Sequence, residues 1–478
     1  MTTTSDARCL RVRRLGAGLA CLLAMAPWPV GAASAIPPPA DLGYRGIWFT
    51  LGQFSEFGDK YSGGLDTYTS HHVPMAVYAP AVRRTFFTYG GTVAANQRYL
   101  VNMVGAYDHR THTVIRPVLV HDKGAAGVDD PHDNASLNLD GLGHLWLFVS
   151  GRGVTRPGFI YRSREPYAID AWERVFEGEF TYPQPWWVPD AGFVHLYTRY
   201  RGERGPRARD LFVRTSPDGR TWGEERMLAA FGGHYQVSEQ RGRRLVSAFN
   251  RHPGSNVDRR TDLYFVQSND GGTTWTTVDG VVLQLPLTAA DNPARVRDYA
   301  AEGRLVYVMD VTFDAQERPI ILYVTSADHR PGPGGAPRRW TLAHWTGAAW
   351  VFRDVAEAGH NYDTGSLQLD PDGAWRLTGP LGRGPQVHGT GGEIEMWVSR
   401  DEGATWARDR VLTSGSPRNH GYARRPRHAD AAFHTYWADG NPDALSPSYL
   451  YFTDRTGKQV WRLPYTMPEA TAAPEPLR

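Results

Sequence analysis

The chain predicts an all-β fold, a β-propeller of seven blades, and three observations predict it. Trp 16, Tyr 23, Gly 51 and Pro 34 are all high for 478 residues, and stretches of helical period are nearly absent. Short apolar runs bounded by Gly, Asp, Pro or Asn recur along the chain, as strands do. A turn motif also repeats. SNDGGTTW at 268–275 and SRDEGATW at 399–406 fit S-x-D-x-G-x-T-W, and SPDGRTW at 216–222 is one residue short. The copies begin 52 and 131 residues apart, the second interval being two units, and the 443 residues after Ala35 hold about seven such units.

The leading residues 1–35 read as an export signal rather than as fold. Arg8, Arg11, Arg13 and Arg14 form a basic start, the apolar core at 15–25 is too short to span a bilayer, and ASA at 33–35 is a small-x-small cleavage site. A secreted or periplasmic protein is expected, cleaved near Ala35, with one domain over 36–478 and its repeats over about 44–455. Cys9 and Cys21 both fall in the leader, so the mature chain can form neither a disulfide nor a thiolate metal site. Of 52 basic and 50 acidic side chains, 48 and 49 remain beyond the leader. With no block of like charge, a nucleic-acid partner is not expected. No later apolar run is long enough to span a membrane. A monomer is expected.

Strands are expected at 144–149, 192–197, 244–249, 261–266, 304–308, 319–324 and 448–452. The first is organised most informatively. HLWLFV at 144–149 is a buried-strand run, preceded by DDPHDN at 129–134 and followed by SGRG at 150–153. Such a strand presents His132 and Arg152 on the loops of a rigid scaffold, unless both merely satisfy polar groups around turns. In the repeated turn the Asp side chain accepts from backbone N–H groups, the Gly takes positive φ and the Trp fills space between sheets, so these copies are structural.

Longer motifs stand together along the chain: YRGIWF at 44–49, DKYSGG at 59–64, DDPHDN, SGRG, YPQPW at 182–186, HNYD at 360–363, GTGGE at 389–393 and NHGYARRP at 419–426. The set resembles the secreted BNR-repeat propellers that include ulvan lyases, rhamnose–glucuronate lyases and the α-L-rhamnosidases that trim arabinogalactan, from about Tyr44 to Phe452. In the lyases the resemblance implies a central site where a histidine, a tyrosine and an arginine act on a uronate. It places these at His132, Tyr197 and Arg214, the last with a one-residue insertion, and puts Arg152 where the lyases carry a second histidine. The rhamnosidases imply a histidine on the opposite face, in TYTSHH at 67–72, which falls on His72. The alternative for His71 and His72 is a solvated loop end.

The chemistry separates three classes. β-Elimination at a uronate must neutralise a carboxylate, remove the C5 proton and protonate the departing O4. Arginine suits the first task, and a tyrosine beside a guanidinium has its pKa pulled down and can carry the proton. His132 and Asn134 would bind the carboxylate or assist as base. The alternative for Tyr197 and Arg214 is packing between blades. Glycoside hydrolysis instead needs paired carboxylates, available among Asp129, Asp130, Asp133, Asp363 and Glu393. A sialidase would need an early Arg-Ile-Pro motif, which is not found. The third class is a glycan-binding propeller without catalysis. Arg251, His252, Tyr299, His420, Arg424 and Arg425 are candidate subsite residues under all three. The scattered histidines suggest no metal site, and a structural calcium on loop oxygens would leave no trace in the sequence. The expected activity is lyase, with rhamnosidase and binding module as alternatives, on an acidic polysaccharide.

Overall fold

Alternating apolar runs of five to ten residues, punctuated by turn residues, pair with their chain neighbours and build a series of antiparallel meanders. The computed structural model describes residues 38–65, 71–95, 97–201 and 208–477. Within these the fold is all-β, arranged as a β-propeller, with only short 3₁₀ turns besides strands. Five four-stranded sheets follow one another over 135–178, 181–229, 236–297, 305–357 and 366–411. A seven-stranded sheet precedes them and a five-stranded sheet follows. The leader expected over 1–35 lies outside the described residues, as do 67–70 of the segment that ends at His72. No helix among the described residues is long and apolar enough to cross a membrane.

The first strands of successive sheets run along a central axis and are stitched to one another. Leu137 N donates to Pro74 O at 2.8 Å, Ser136 Oγ to Pro183 O at 2.6 Å, and Gln184 Nε2 to Gln236 O at 2.8 Å. Trp186 Nε1 reaches Ser238 Oγ at 2.8 Å, and Ser366 Oγ reaches Ala423 O at 2.9 Å. The ring is closed by both ends of the chain. Gly46–Ile47 pairs with Pro447–Ser448, and Thr471–Ala472 pairs with Thr113–Asp122 in the same sheet. Closure leaves no exposed central edge among the described residues.

In such a meander two kinds of connection emerge at one end of the ring: those entering the first strand, and those joining second to third. The remaining hairpins emerge at the other end. All three copies of the repeated turn follow a third strand, namely Ala208–Ser216, Thr261–Ser268 and Glu393–Ser399. Asp270 Oδ1 accepts from Thr273 N at 3.0 Å and Thr274 N at 2.9 Å, and Trp275 Nε1 donates to Gly272 O at 3.2 Å. Gly272 has φ +88, and an added Cβ would stand 3.0 Å from Val194 of the preceding sheet, so a side chain there would be both strained and crowded. The copies therefore do structural work at the end of the ring away from the loops described next.

Candidate active site

The first feature of that face is the 3₁₀ turn Pro131–Asp133, with Pro131 at its first position. Asp130 caps it, accepting from His132 N at 3.0 Å, and the same carboxylate takes the His132 ring through Nδ1. Asp130 Oδ2 also receives Arg152 Nη1 and Arg156 Nη2, both at 2.8 Å. Beneath it the fully buried Asp133 is met by Lys123 Nζ and Arg156 Nη2, again at 2.8 Å. The two arginines come from the connection between Leu145–Val149 and Gly158–Ser163. A Cβ on Gly151 would stand 2.3 Å from the Pro157 backbone, so this close hairpin requires glycine there.

The next sheet contributes a tyrosine and an arginine facing each other across two strands. Tyr200 and Arg209 are register partners in Gly192–Arg201 and Ala208–Ser216. Tyr200 Oη accepts from Arg152 Nη2 at 2.8 Å and is also met by Arg209 Nη2, while Arg209 Nη1 donates to Tyr182 Oη at 3.2 Å. The Arg209 guanidinium lies over the rings of Tyr182 and Tyr200, each 4.7 Å from the centroid, and of Tyr235 at 5.0 Å. Tyr182, which holds φ +54, stands 5.5 Å centroid to centroid from His132 and 5.3 Å from His72.

The electrostatics follow from burial and neighbouring charge. Burial pushes His132 down to about 4 against the pull of Asp130, so its ring is neutral at neutral pH. With Nδ1 directed at Asp130, the neutral tautomer that donates there carries its lone pair on Nε2. Burial pushes the Tyr200 phenol up, but the guanidiniums of Arg209 and Arg152 outweigh it and hold the group below its ordinary value. Burial also acts on Asp130, yet His132, Arg152 and Arg156 keep it well below the usual carboxylate range.

The sequence reading requires corrections here. His132 and Arg152 meet as expected, through Asp130, but Tyr197 and Arg214 do not join them. Strand side chains alternate, so Tyr197, three residues before Tyr200, faces the other side, and Arg214, five beyond Arg209, does likewise. Tyr197 is buried against Phe212 and Phe180 with its hydroxyl on Glu225, and burial pushes its pKa far up. Arg214 lies between Phe176 at 4.3 Å and Trp222 at 4.5 Å, where burial lowers it to about 10. Both pack between sheets. His72 is not on the opposite face: it is buried beside Tyr182 and hydrogen-bonds the His132 backbone. His71 is equally buried, stacked on Tyr235 at 4.7 Å, so neither is a solvated loop end.

The subsite candidates divide. His252 joins the cluster, 4.7 Å from Tyr235, and Arg424 lies close enough for its charge to depress His71 and His72. Arg425 is tied to Asp310 and Glu239 along the axis. Arg251 turns outward to Asp262 at 2.5 Å, and Tyr299 Oη pairs with Tyr323 Oη at 2.7 Å between sheets. His420 belongs to a different groove, bound by Trp437 Nε1 at 3.1 Å and Ser416 Oγ at 3.0 Å. Asn134 is buried against Gly90 and serves the turn, its carbonyl accepting from Ser150 N at 3.0 Å. Sequence reasoning missed Asp130 as the hub, and Tyr200, Arg209, Tyr182, Tyr235 and Arg260. The signal for Tyr200 and Arg209 was the strand register, which spacing alone does not show.

The five carboxylates considered for hydrolysis are each engaged by cations or donors, and Asp130 and Asp133 share Arg156 Nη2. Asp129 pairs with Arg98 at 3.0 Å, and Asp130 and Asp133 are held as above. Asp363, raised by burial to about 7, accepts from His360 N at 2.7 Å and Gly391 N at 2.9 Å. Glu393 takes Thr413 Oγ1 at 2.5 Å and Ser416 N at 2.8 Å. Among the described residues no group of three or more His, Cys, Asp or Glu is placed to hold a metal ion.

Residues 91–358, more than half of the chain, match the description "BNR repeat-containing family member". The chain belongs to the BNR repeat-containing family. Among solved structures this BNR-repeat chain is similar to an ulvan lyase of polysaccharide lyase family PL25, with 16% identity over 87% of this chain and 96% of that one and a TM-score of 0.66. The same lyase bound to -[GlcA(1-4)Rha3S]- superposes with a TM-score of 0.65. The polysaccharide lyase Uly1 is 12% identical over 87% of this chain and 99% of that one, with a TM-score of 0.56. These likenesses show the fold. No curated protein sequence matches the BNR-repeat chain.

Proposed function

We propose that this protein is a secreted or periplasmic polysaccharide lyase, a monomeric ring of seven blades over 36–478, that cleaves rhamnose–glucuronate linkages by β-elimination. The observation that carries the reading is the Tyr200 hydroxyl held between Arg152 and Arg209, with neutral His132 tied to the same arginine through Asp130. Two guanidiniums around one phenol suit a carboxylate ligand, whose charge they neutralise as the C5 carbanion develops. His132 Nε2 then takes the C5 proton. The electron pair left on C5 forms the C4–C5 double bond, the C4–O4 bond breaks, and O4 takes the Tyr200 proton. Solvent exchange returns a proton from the histidine to the phenolate. A structure of this fold solved with a glucuronate–rhamnose sulfate chain bound supports the substrate class. Asp130, kept well below the usual carboxylate range, is ill suited to be the protonated acid that hydrolysis needs.

The roles set a pH profile. His132 must be neutral, so kcat/KM rises with pH through about 4. Tyr200 must keep its proton, so kcat/KM falls again below the ordinary phenol value of about 10. Initial rates on ulvan across pH 3 to 11, buffered at constant ionic strength, test this. A bell is expected, with the alkaline limb lost in a Tyr200→Phe protein's residual rate. A rate that climbs without an alkaline limb in the wild type would contradict Tyr200 as the acid.

A further inference from the structure

Beside the Tyr200 pair, the corresponding hairpin of the 236–297 sheet supplies Arg260, which is only 2% exposed. Its guanidinium is enclosed by three rings, 4.5 Å from Tyr307, 4.7 Å from Tyr235 and 5.1 Å from Tyr362. It donates through Nε to Val257 O at 3.0 Å and through Nη2 to Tyr362 Oη at 2.9 Å. Among the described residues no carboxylate lies within 4.0 Å of it. The acid of its own hairpin, Asp258, is taken by Lys60 and by His329 at 3.6 Å. A buried cation with no counter-ion among the described residues is costly, and ring faces recover only part of that cost. Two buried ring nitrogens close by, His71 Nδ1 and His252 Nε2, have no hydrogen-bond partner among the described residues. Both rings pack on Tyr235 at 4.7 Å. Tyr235 is thus shared by Arg209 on one side and Arg260 on another.

We infer that Arg260, with His71 and His252, forms a second anion-binding subsite that takes the next acidic group of the polysaccharide, a uronate carboxylate or a sulfate ester, beyond the one held at Tyr200. The inference rests on the acidic-polysaccharide reading above but not on elimination. It makes the face selective for chains that carry acidic groups in close succession rather than for an isolated uronate.

The test is calorimetric binding in a Tyr200→Phe background, so that the sugar survives, with and without Arg260→Gln. The probes are a tetrasaccharide prepared from ulvan, its desulfated form, and the form both desulfated and carboxyl-reduced. Arg260→Gln is expected to weaken the first roughly ten- to a hundredfold and leave the neutral sugar unchanged. Retention of that loss on the desulfated probe assigns the group as carboxylate, and its disappearance assigns it as sulfate. Equal loss on the neutral sugar, or no loss on any probe, overturns the inference. If Arg260→Gln does not fold, Arg260→Lys is expected to fold and to lose affinity for the charged probe, and wild-type affinity there overturns it too. A wild-type protein that turns over no uronate polymer removes the elimination reading and leaves these affinity ratios to be judged by themselves.

Discussion

Tyr200→Phe is expected to lower turnover of a rhamnose–glucuronate polymer by about 10²- to 10⁴-fold, the usual worth of a positioned general acid. Removing one oxygen takes away the proton that O4 needs and the acceptor shared by Arg152 and Arg209, but leaves both guanidiniums in place. KM should therefore change far less than kcat. The informative control is Tyr197→Phe, in the same strand. Its hydroxyl contacts Glu225 in the packing between sheets, so its loss should lower stability modestly and leave kcat within a few-fold of wild type. Steady-state kinetics on both variants check this. A Tyr200→Phe protein with wild-type kcat, or a Tyr197→Phe protein without turnover, would move the chemistry away from the Arg152–Arg209 pair.

Acid should destabilise this protein through its buried histidines, beginning above the ordinary carboxylate range. Burial lowers His121, His360, His420 and His434 to about 3, and His132 and His234 to about 4. It also holds His71, His72, His195 and His252 well below the ordinary value. In the unfolded chain each titrates near 6.5. Below that pH the unfolded state binds protons that the native state refuses, so stability is full above about 6.5 and falls as pH drops towards the folded values. Each such group contributes a slope of up to roughly 1.4 kcal/mol per pH unit, and several act together. Asp363 works the other way, since its raised pKa lets the native state take up a proton near 7, and Asp59, Asp133, Asp210 and Asp439, also raised by burial, act in the same sense, but the ten histidines outnumber them. Melting temperature followed from pH 7.5 to 4.5 should fall steeply below about 6.5. A flat curve over that interval would mean that these rings are solvated or charged in the folded protein.

The parts of the molecule legible in the sequence were those written in local chemistry. Ser268, Asp270, Gly272 and Trp275 each do in the turn what their chemistry suggests, and the spacing of the copies carried the meander sheets. DDPHDN and SGRG were readable as a pair of loops on one strand, and Asp130 joins them directly. What failed was parity. Tyr197 and Tyr200 lie in one apolar-polar run, and only the pairing of Tyr200 with Arg209 at the strand ends shows which side meets the loops. His72 failed for a different reason. Its segment precedes a strand on the axis, and the direction in which it enters the ring, which local sequence does not encode, brings it to Tyr182 instead of the far face. Arg260 was invisible because a buried arginine caged by tyrosines from three other segments has no contiguous signature.

The most direct measurement of the central claim is the product formed when the protein is incubated with ulvan and, separately, with gum arabic. Ultraviolet absorbance and free rhamnose are recorded together. Elimination at the Tyr200 cluster predicts a rising absorbance from the new C4–C5 double bond conjugated with the uronate carboxylate, without stoichiometric free rhamnose. Free rhamnose released with no such absorbance would contradict it.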